Sequence, residues 1–489
     1  MNDNAVYPYI ILPFHFMRFK KELILLVNLA GEYLYLSSND FNKLVNYSVD
    51  QNSELYFNLK AKHFIAKTLH DPAIELLAVK YRTKKDFLSD FTSLHMFVIT
   101  LRCNQKCVYC HASSKDVNKR AFDMSIETAR KAVDTALTSP SKSIKIEFQG
   151  GEPLLNFEII KDVIEYANNQ ASVKNKKIEF VVCTNLTIAT DEMLKYFADD
   201  DILISISLDG PKHIHDDNRR YRDGGGSYED VMRSLEKARK YIRSENISAL
   251  MTTTKYSLDY AHEIVDEYVR NGFRSIFIRA LNPFGYALPK IKMIGCSALE
   301  FVDFYKKILE YIINLNQQGT YIEESFTSLL LTRILTPFST GFVDLQFPAG
   351  TGISGVIYDY DGNVYHADEA RMLAQMEDSR FCIGNVHNNT YKELFYNNIL
   401  QEIIKSTCAE SLPGCSDCAF QMYCGIDPVR NYVAQKDIMG HRPTSDSCLI
   451  HKEIIKHLFE IILENDANQM DVFWSWITRR SLSEIKVTV

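Results

Sequence analysis

Between residues 95 and 280 six short apolar runs alternate with helical stretches, and chemically unusual residues follow the runs. The runs are MFVITL (96–101), SIKIEF (143–148), IEFVVCT (178–184), ILISISL (202–208), ISALMTT (247–253) and SIFIRA (275–280). Between them SIETARKAVDTAL (125–137) and YEDVMRSLEKARKYI (228–242) carry helical periodicity. This alternation predicts an α/β fold of parallel strands joined by helices. Six strands fall short of a closed eight-stranded barrel, so a partial (β/α)6 barrel is expected. In such folds ligands bind at the carboxyl ends of the strands. Here three cysteines follow the first run, Gly150-Gly151 the second, Asn185 the third and Asp209 the fourth.

The flanks read differently. Residues 1–90 hold no cysteine; LILLVNLAGEYLYLSS (23–38) predicts two strands around Ala30-Gly31, with Asp40 capping a helix through Phe41, Leu44 and Val45. A small N-terminal α+β module is expected. Residues 286–340 look helical, VIYDYDGNVYHADEA reads as β, residues 408–448 are rich in cysteine, and HKEIIKHLFEIILEN is an amphipathic helix. The expected division is 1–90, 91–325, 326–455 and a helical tail, 456–489.

Charge and cysteine usage narrow the classes. The formal charge is -7 and no block of five or six like charges occurs. Lys174 with Lys176-Lys177, and Arg219-Arg220, are short basic spots, so no nucleic-acid partner is expected. No run reaches the ~18 apolar residues of a membrane span, and MNDNAVYPYIILPFHF lacks the basic start and cleavage site of a signal peptide. A cytoplasmic protein with no membrane partner is expected. The 11 cysteines cluster at short spacings, which points to metal or redox chemistry rather than to a disulfide framework.

Cys103, Cys107 and Cys110 stand in TLRCNQKCVYCHAS. Three thiolates on a loop after a strand can hold three irons of a [4Fe–4S] cube and leave the fourth open. A structural zinc site wants four ligands, for which His111 is the nearest extra donor. Cys415, Cys418, Cys424 and Cys448 form a second group. On spacing alone that group suits tetrahedral zinc or a fully ligated [4Fe–4S] cluster. Cys183 reads as a small buried hydrophobe, and Cys296, Cys382 and Cys408 have no ligand spacing, though Cys408 lies near the second group.

The C-x3-C-x2-C spacing, with Tyr109 before the last cysteine, resembles the radical S-adenosylmethionine (SAM) superfamily. That resemblance implies a cluster whose open iron chelates SAM and whose electron releases a 5′-deoxyadenosyl radical. Gly150-Gly151-Glu152-Pro153 matches the family's GGEP element, and implies that Glu152 and backbone carbonyls receive the SAM ammonium. Asn185 and Ser207 fall where members contact the SAM ribose and carboxylate, and Arg219, with Arg220 as its rival, where an arginine pairs with that carboxylate. Beside such a core the second group resembles the second auxiliary cluster of the SPASM domain of peptide and sulfatase maturases. Ala349, Ala367 and Pro428 stand where ligands of the first auxiliary cluster are expected, and Gly355 lies near such a place, which implies one auxiliary [4Fe–4S] cluster, not two. Asp368 follows one lost ligand, at the place of a catalytic base in sulfatase maturases; His366 is a second candidate.

KYRTKKDFL, DEARML, IGNV, CAFQMYCGIDP and HRPTSDSC are similar to the His-Xaa-Ser system radical SAM maturases. The resemblance implies oxidation or crosslinking of a small ribosomally made peptide or protein encoded nearby, with a flavodoxin or ferredoxin as electron donor. It leaves residues 1–90 to recognise the peptide or to cap the barrel. Formylglycine formation in a sulfatase, and a non-catalytic zinc-binding interaction protein, are the competing readings.

Overall fold

The computed structural model describes residues 7–89 and 91–486. Residues 1–6, which carry part of the signal-peptide reading, and Asp90, the expected end of the first module, lie outside the described residues. So do residues 487–489 of the expected tail.

The N-terminal module is a three-stranded antiparallel sheet, β1 (Phe14–Lys20), β2 (Leu23–Asn28) and β3 (Tyr33–Ser37). Three helices follow, Ser38–Val45, Glu54–Ala61 and Pro72–Lys84. The sequence reading missed β1. Phe16 and Arg18 are both exposed, and the register slips between Arg18 and Lys20, so the polar–apolar alternation is broken. The first helix is capped by Ser37, whose Oγ accepts from the Asp40 N–H at 3.0 Å; Asp40 lies in the first turn, where the helix dipole favours a carboxylate. One sheet face, with Ile24, Leu26 and Leu36, packs inside the module. The other, with Phe19, Leu25 and Val27, joins the main core.

Six parallel strands follow in sequence order, β4 (Leu94–Thr100), β5 (Ser143–Gly150), β6 (Lys177–Thr184), β7 (Leu203–Ser207), β8 (Ile247–Thr252) and β9 (Ser275–Arg279). All six apolar runs are therefore strands. On β5, Ile144, Ile146 and Phe148 are buried in the main core, whereas Glu147 and Gln149 take the opposite, half-open face. Helices Ile126–Ala136 and Tyr228–Tyr241 lie within a residue or so of their predicted spans. The expected helical stretch after 286 contains helices Ala298–Gln317 and Ser325–Leu335, interrupted by Glu323–Glu324, which pairs in parallel with β9. At the other edge β10 (Gly355–Tyr358) pairs in parallel with β4, and β11 (Asn363–Tyr365) and β12 (Cys382–Asn385) continue it antiparallel. The amphipathic C-terminal segment is helix Asp446–Glu464, followed by a further helix, Ala467–Thr478. Among the described residues no helix is long and apolar enough to cross a membrane.

The N-terminal module docks on the cysteine-bearing C-terminal region. Tyr35 donates to Phe459 O at 2.7 Å and Tyr423 donates to Gly31 O at 2.8 Å. Gly31 has φ +79°, and a side chain there would meet the Tyr423 ring at 3.3 Å.

His95 joins the first barrel strand to the C-terminal region. Its ring is fully buried, with Nδ1 3.0 Å from Tyr358 Oη and Nε2 3.0 Å from Thr92 O. Burial lowers its pKa to about 4, so folding holds it neutral while the unfolded chain protonates below about 6.5. The unfolded state then binds more protons between these values, and stability is lost as pH falls from 6.5 towards 4. The full shift corresponds to about 3 kcal/mol. Thermal unfolding of His95→Gln should show a shallower decline than the wild type over that window; parallel declines would remove His95 from the acid sensitivity.

Candidate functional site

The site begins with a loop that has few local bonds of its own. Residues 103–110 leave β4 and pair with the segment after helix Lys212–Asn218. Lys106 N–H donates to Arg220 O at 2.7 Å, and Val108 N–H donates to Asn218 O at 2.9 Å. Arg222 Nε donates to Cys103 O at 2.7 Å. This segment, HIHDDNRRYR, thus fixes the cysteine loop from one side.

The glycine turn after β5 fixes it from the other. Gly151 N–H donates to Thr100 O and Glu152 N–H to Arg102 O, each at 2.7 Å. A Cβ on Gly150 would lie 2.0 Å from Thr100 O, and one on Gly151 2.3 Å from Arg102 O, so only glycine admits this approach. Pro153 starts the following helical turn. Glu152 is fully buried, and its carboxylate accepts from Leu154 N–H, Thr184 Oγ1 and Asn185 N–H at 3.0, 2.7 and 2.7 Å. Burial raises its pKa to about 7. Its oxygens are taken by internal donors, so the side chain braces the turn against the end of β6. Asn185 Nδ2 in turn donates to Asn104 Oδ1 at 2.9 Å and lies 3.8 Å from Cys103 Sγ. Ser207 ends β7, half-buried.

Asp209, which the sequence offered only as a strand-end residue, organises the far wall. It is fully buried; its Oδ2 accepts from Tyr109 Oη at 2.5 Å and faces Arg219 Nε at 3.2 Å. Arg219 also lies over the Tyr109 ring, 5.4 Å from its centre. Arg220, the rival, points outward and pairs with Asp217 at 2.8 Å, both half-exposed.

The three thiols act on one another electrostatically. Burial holds Cys103 well above the ordinary thiol range, with Cys107 and Cys110 adding to the rise. Burial pushes Cys107 up to about 12, against the pull of Arg219. Thiols that burial keeps protonated, as at Cys103 and Cys107, suit a polynuclear iron centre, which stabilises them as thiolates. His111 leans on Tyr109, ring centres 5.8 Å apart, and its Nε2 has no partner.

The second group also converges. Cys415, Cys418, Cys424 and Cys448 line one cavity, and Cys424 is raised by burial and then by the other three. His451 Nδ1 lies 3.3 Å from Cys424 Sγ. Among the described residues no three His, Cys, Asp or Glu side chains are gathered tightly enough for a single metal ion. The same cavity reaches Phe277 and Arg279 at the end of β9, and Glu369, Asp427 and Asp344. Ala367, at an expected ligand place of a further cluster, is buried in an apolar cluster that also holds Ile357, Phe381, Ile403 and Val429, so that place is hydrocarbon. Cys408 bonds Ile404 O at 3.4 Å and does not line the cavity. Cys183 is only half-buried and donates to Glu147 Oε1 at 3.3 Å, which corrects its reading as a plain core hydrophobe.

The two base candidates differ. Asp368 is held by Arg371 Nε at 2.9 Å. His366 is fully buried beside Phe381 with neither ring nitrogen partnered, and burial lowers its pKa to about 3. Glu369, which the sequence reading passed over, opens on the cavity; burial raises its pKa, and Asp427 and Asp344 add to the rise.

The sequence pattern of the radical SAM superfamily matches residues 97–268, from the first barrel strand to the helix before β9. An uncharacterized protein of Methanothermobacter thermautotrophicus is 33% identical over 202 residues, 41% of this chain and 70% of that one. The chain belongs to the radical SAM superfamily. A second uncharacterized protein, from Methanocaldococcus jannaschii, is 36% identical over 187 residues, 38% of this chain but only 61% of its own length. The cysteine-type anaerobic sulfatase-maturating enzyme of Clostridium perfringens is 28% identical over 312 residues, 62% of this chain and 80% of that one. Among solved structures, native anSMEcpe with bound AdoMet has a TM-score of 0.62 at 22% identity, covering 76% of this chain and 98% of that one. Streptococcus suis SuiB bound to precursor peptide SuiA has a TM-score of 0.53 at 14% identity, covering 90% and 99%. These likenesses establish the radical SAM fold, and radical SAM proteins use a [4Fe–4S] cluster and SAM.

Proposed function

We propose that this radical SAM protein modifies a ribosomally made peptide or protein, by oxidising it or forming a crosslink within it. The observation that carries this reading is the cavity joining the second thiol group to the end of β9. Cys103, Cys107 and Cys110 would hold the catalytic cluster, and Cys415, Cys418, Cys424 and Cys448 one auxiliary cluster. When bound, the first cluster and SAM supply a 5′-deoxyadenosyl radical for hydrogen abstraction.

The chain's own residues do the rest. The Gly150-Gly151 turn and Asn185 hold the cysteine loop in place, and Arg219, anchored by Asp209, offers its free guanidinium edge to the SAM carboxylate. Tyr109 buttresses that arginine, and Ser207 is left at the strand end to bond SAM. Pro153 and Glu152 keep the turn rigid. Proton release from an oxidised substrate falls to the Asp368–Glu369 pair. Glu369 is the better placed, because it faces the cavity while Asp368 is occupied by Arg371. His366, sealed in hydrocarbon, supports the wall.

The likeness to the sulfatase-maturating enzyme and to the SuiB–SuiA complex supports a peptide substrate. The separated strings similar to His-Xaa-Ser system maturases narrow it to a small peptide encoded nearby. Formylglycine formation is the second reading, favoured by the 28% identity to the sulfatase maturase and disfavoured by hydrocarbon in place of a further cluster. The proposed setting is cytoplasmic, with a flavodoxin or ferredoxin as electron donor and residues 1–90 engaging the peptide.

The test is oxygen-free reconstitution with SAM, reductant and the neighbouring peptide, read by mass spectrometry; an unchanged peptide beside ongoing 5′-deoxyadenosine formation would exclude it as substrate. Reconstituted protein should hold about eight irons per chain, two cubanes' worth. Iron analysis near twelve would contradict a single auxiliary cluster. Cys418→Ala should retain some SAM cleavage and lose most product, measured in the same assay.

A further inference from the structure

Two buried basic side chains, one of them beside the second thiol group, have no carboxylate to balance them. Arg333, in the last turn of helix Ser325–Leu335, is 3% exposed. Its guanidinium donates to Met422 O at 2.7 Å, while Nε has no partner. Lys84, 2% exposed, ends the last helix of the N-terminal module and donates to Arg333 O and Thr336 O, both at 2.6 Å. Among the described residues neither cation forms an ion pair. The carboxylate that acts on Lys84, Glu32, is already bound to Lys80 at 2.7 Å and His63 at 2.9 Å. The acids acting on Arg333 are the Cys424 thiol and Tyr423.

A buried guanidinium without a counter-charge costs several kcal/mol, so Arg333 calls for an anion nearby; burial and Arg333 lower Lys84 to about 7, so it carries only part of a charge. Met422, which Arg333 grips, is two residues from Cys424. The remaining thiols have basic neighbours of their own, since Arg442 acts on Cys415 and Lys452 on Cys418. Four thiolates around a [4Fe–4S] core are net negative, and more so once reduced. A fixed cation therefore stabilises the reduced form more than the oxidised one.

We propose that Arg333 is the buried counter-charge of the auxiliary cluster and raises its reduction potential, with Lys84 adding to the same field from the N-terminal module. The inference rests on the auxiliary-cluster reading. It makes Arg333 a positioning residue for electron acceptance, and it makes the docking of the N-terminal module sensitive to the cluster's charge.

The test uses the full chain carrying C103A, C107A and C110A, so that the second group holds the remaining cluster, in an oxygen-free redox titration followed by EPR. In this background R333Q should lower the reduced-to-oxidised ratio at fixed potential about tenfold, a shift of about 59 mV for a one-electron couple. R333K should restore most of it, and K84M should shift the midpoint the same way by less. An unshifted midpoint in R333Q that retains its iron would overturn the proposal. Should R333Q fail to hold iron, K84M decides, and an unshifted K84M midpoint overturns it. Metal analysis comes first: a background protein with no iron would sink the auxiliary-cluster reading, and this inference with it, before any potential is measured.

Discussion

Cys107→Ala protein, prepared and reconstituted without oxygen, forms no 5′-deoxyadenosine above background, and its iron falls from about eight towards about four per chain. The reason lies in the loop. Cys103, Cys107 and Cys110 are its thiols, and Asn185, Arg222 and the Gly150-Gly151 turn hold it without offering a thiolate substitute. Two thiolates leave two corners of a cubane unprotected, and exchange with solvent then removes the iron. Alanine preserves the loop's backbone bonds, so the chain folds and the second thiol group still loads. Retention of turnover by the iron-depleted variant would end the radical reading. Retention of turnover with full iron would instead point to His111, the nearest other donor in the sequence.

The second large effect is expected at Asp209. Asp209→Asn keeps the shape but strips the charge that faces Arg219, which is only 11% exposed. Breaking a buried pair by removing one partner costs about 3–5 kcal/mol. Tyr109 loses its charged acceptor at the same time. Denaturant unfolding of the metal-free variant should show a clearly lower midpoint at unchanged slope. SAM cleavage in the loaded variant should drop by orders of magnitude, because Arg219 then lacks the anchor that fixes its direction. A midpoint equal to wild type would show that Asp209 and Arg219 do not form the pair described.

Much of the barrel was legible because its strands are apolar runs interrupted by helices of clear period, and the candidate site residues follow their carboxyl ends. Sequence could not separate Arg219 from Arg220. Adjacent arginines differ only in where the chain turns after Asn218, and the turn sends one onto Asp209 and the other to Asp217. Glu152 shows the reverse problem. The GGEP string marks a site, but whether its carboxylate meets a ligand or the chain depends on Thr184 and Asn185, which arrive from another strand. β1 was hidden because an exposed edge strand keeps no strict alternation. Arg333 and Lys84 gave no signal at all, since a lone cation in a helix looks solvated until its distant surroundings are known. Thiol spacing, by contrast, is local and carried both cysteine groups into view.

The pairing of β10 with β4 bears on how the molecule can be cut. The strand that launches the cysteine loop has its outer hydrogen-bonding side covered by a segment more than two hundred residues later in the chain. A chain truncated near residue 325 would leave that side bare, and a bare, apolar strand edge recruits other chains. Catalytic fragments trimmed to the six-strand core should therefore clump during expression.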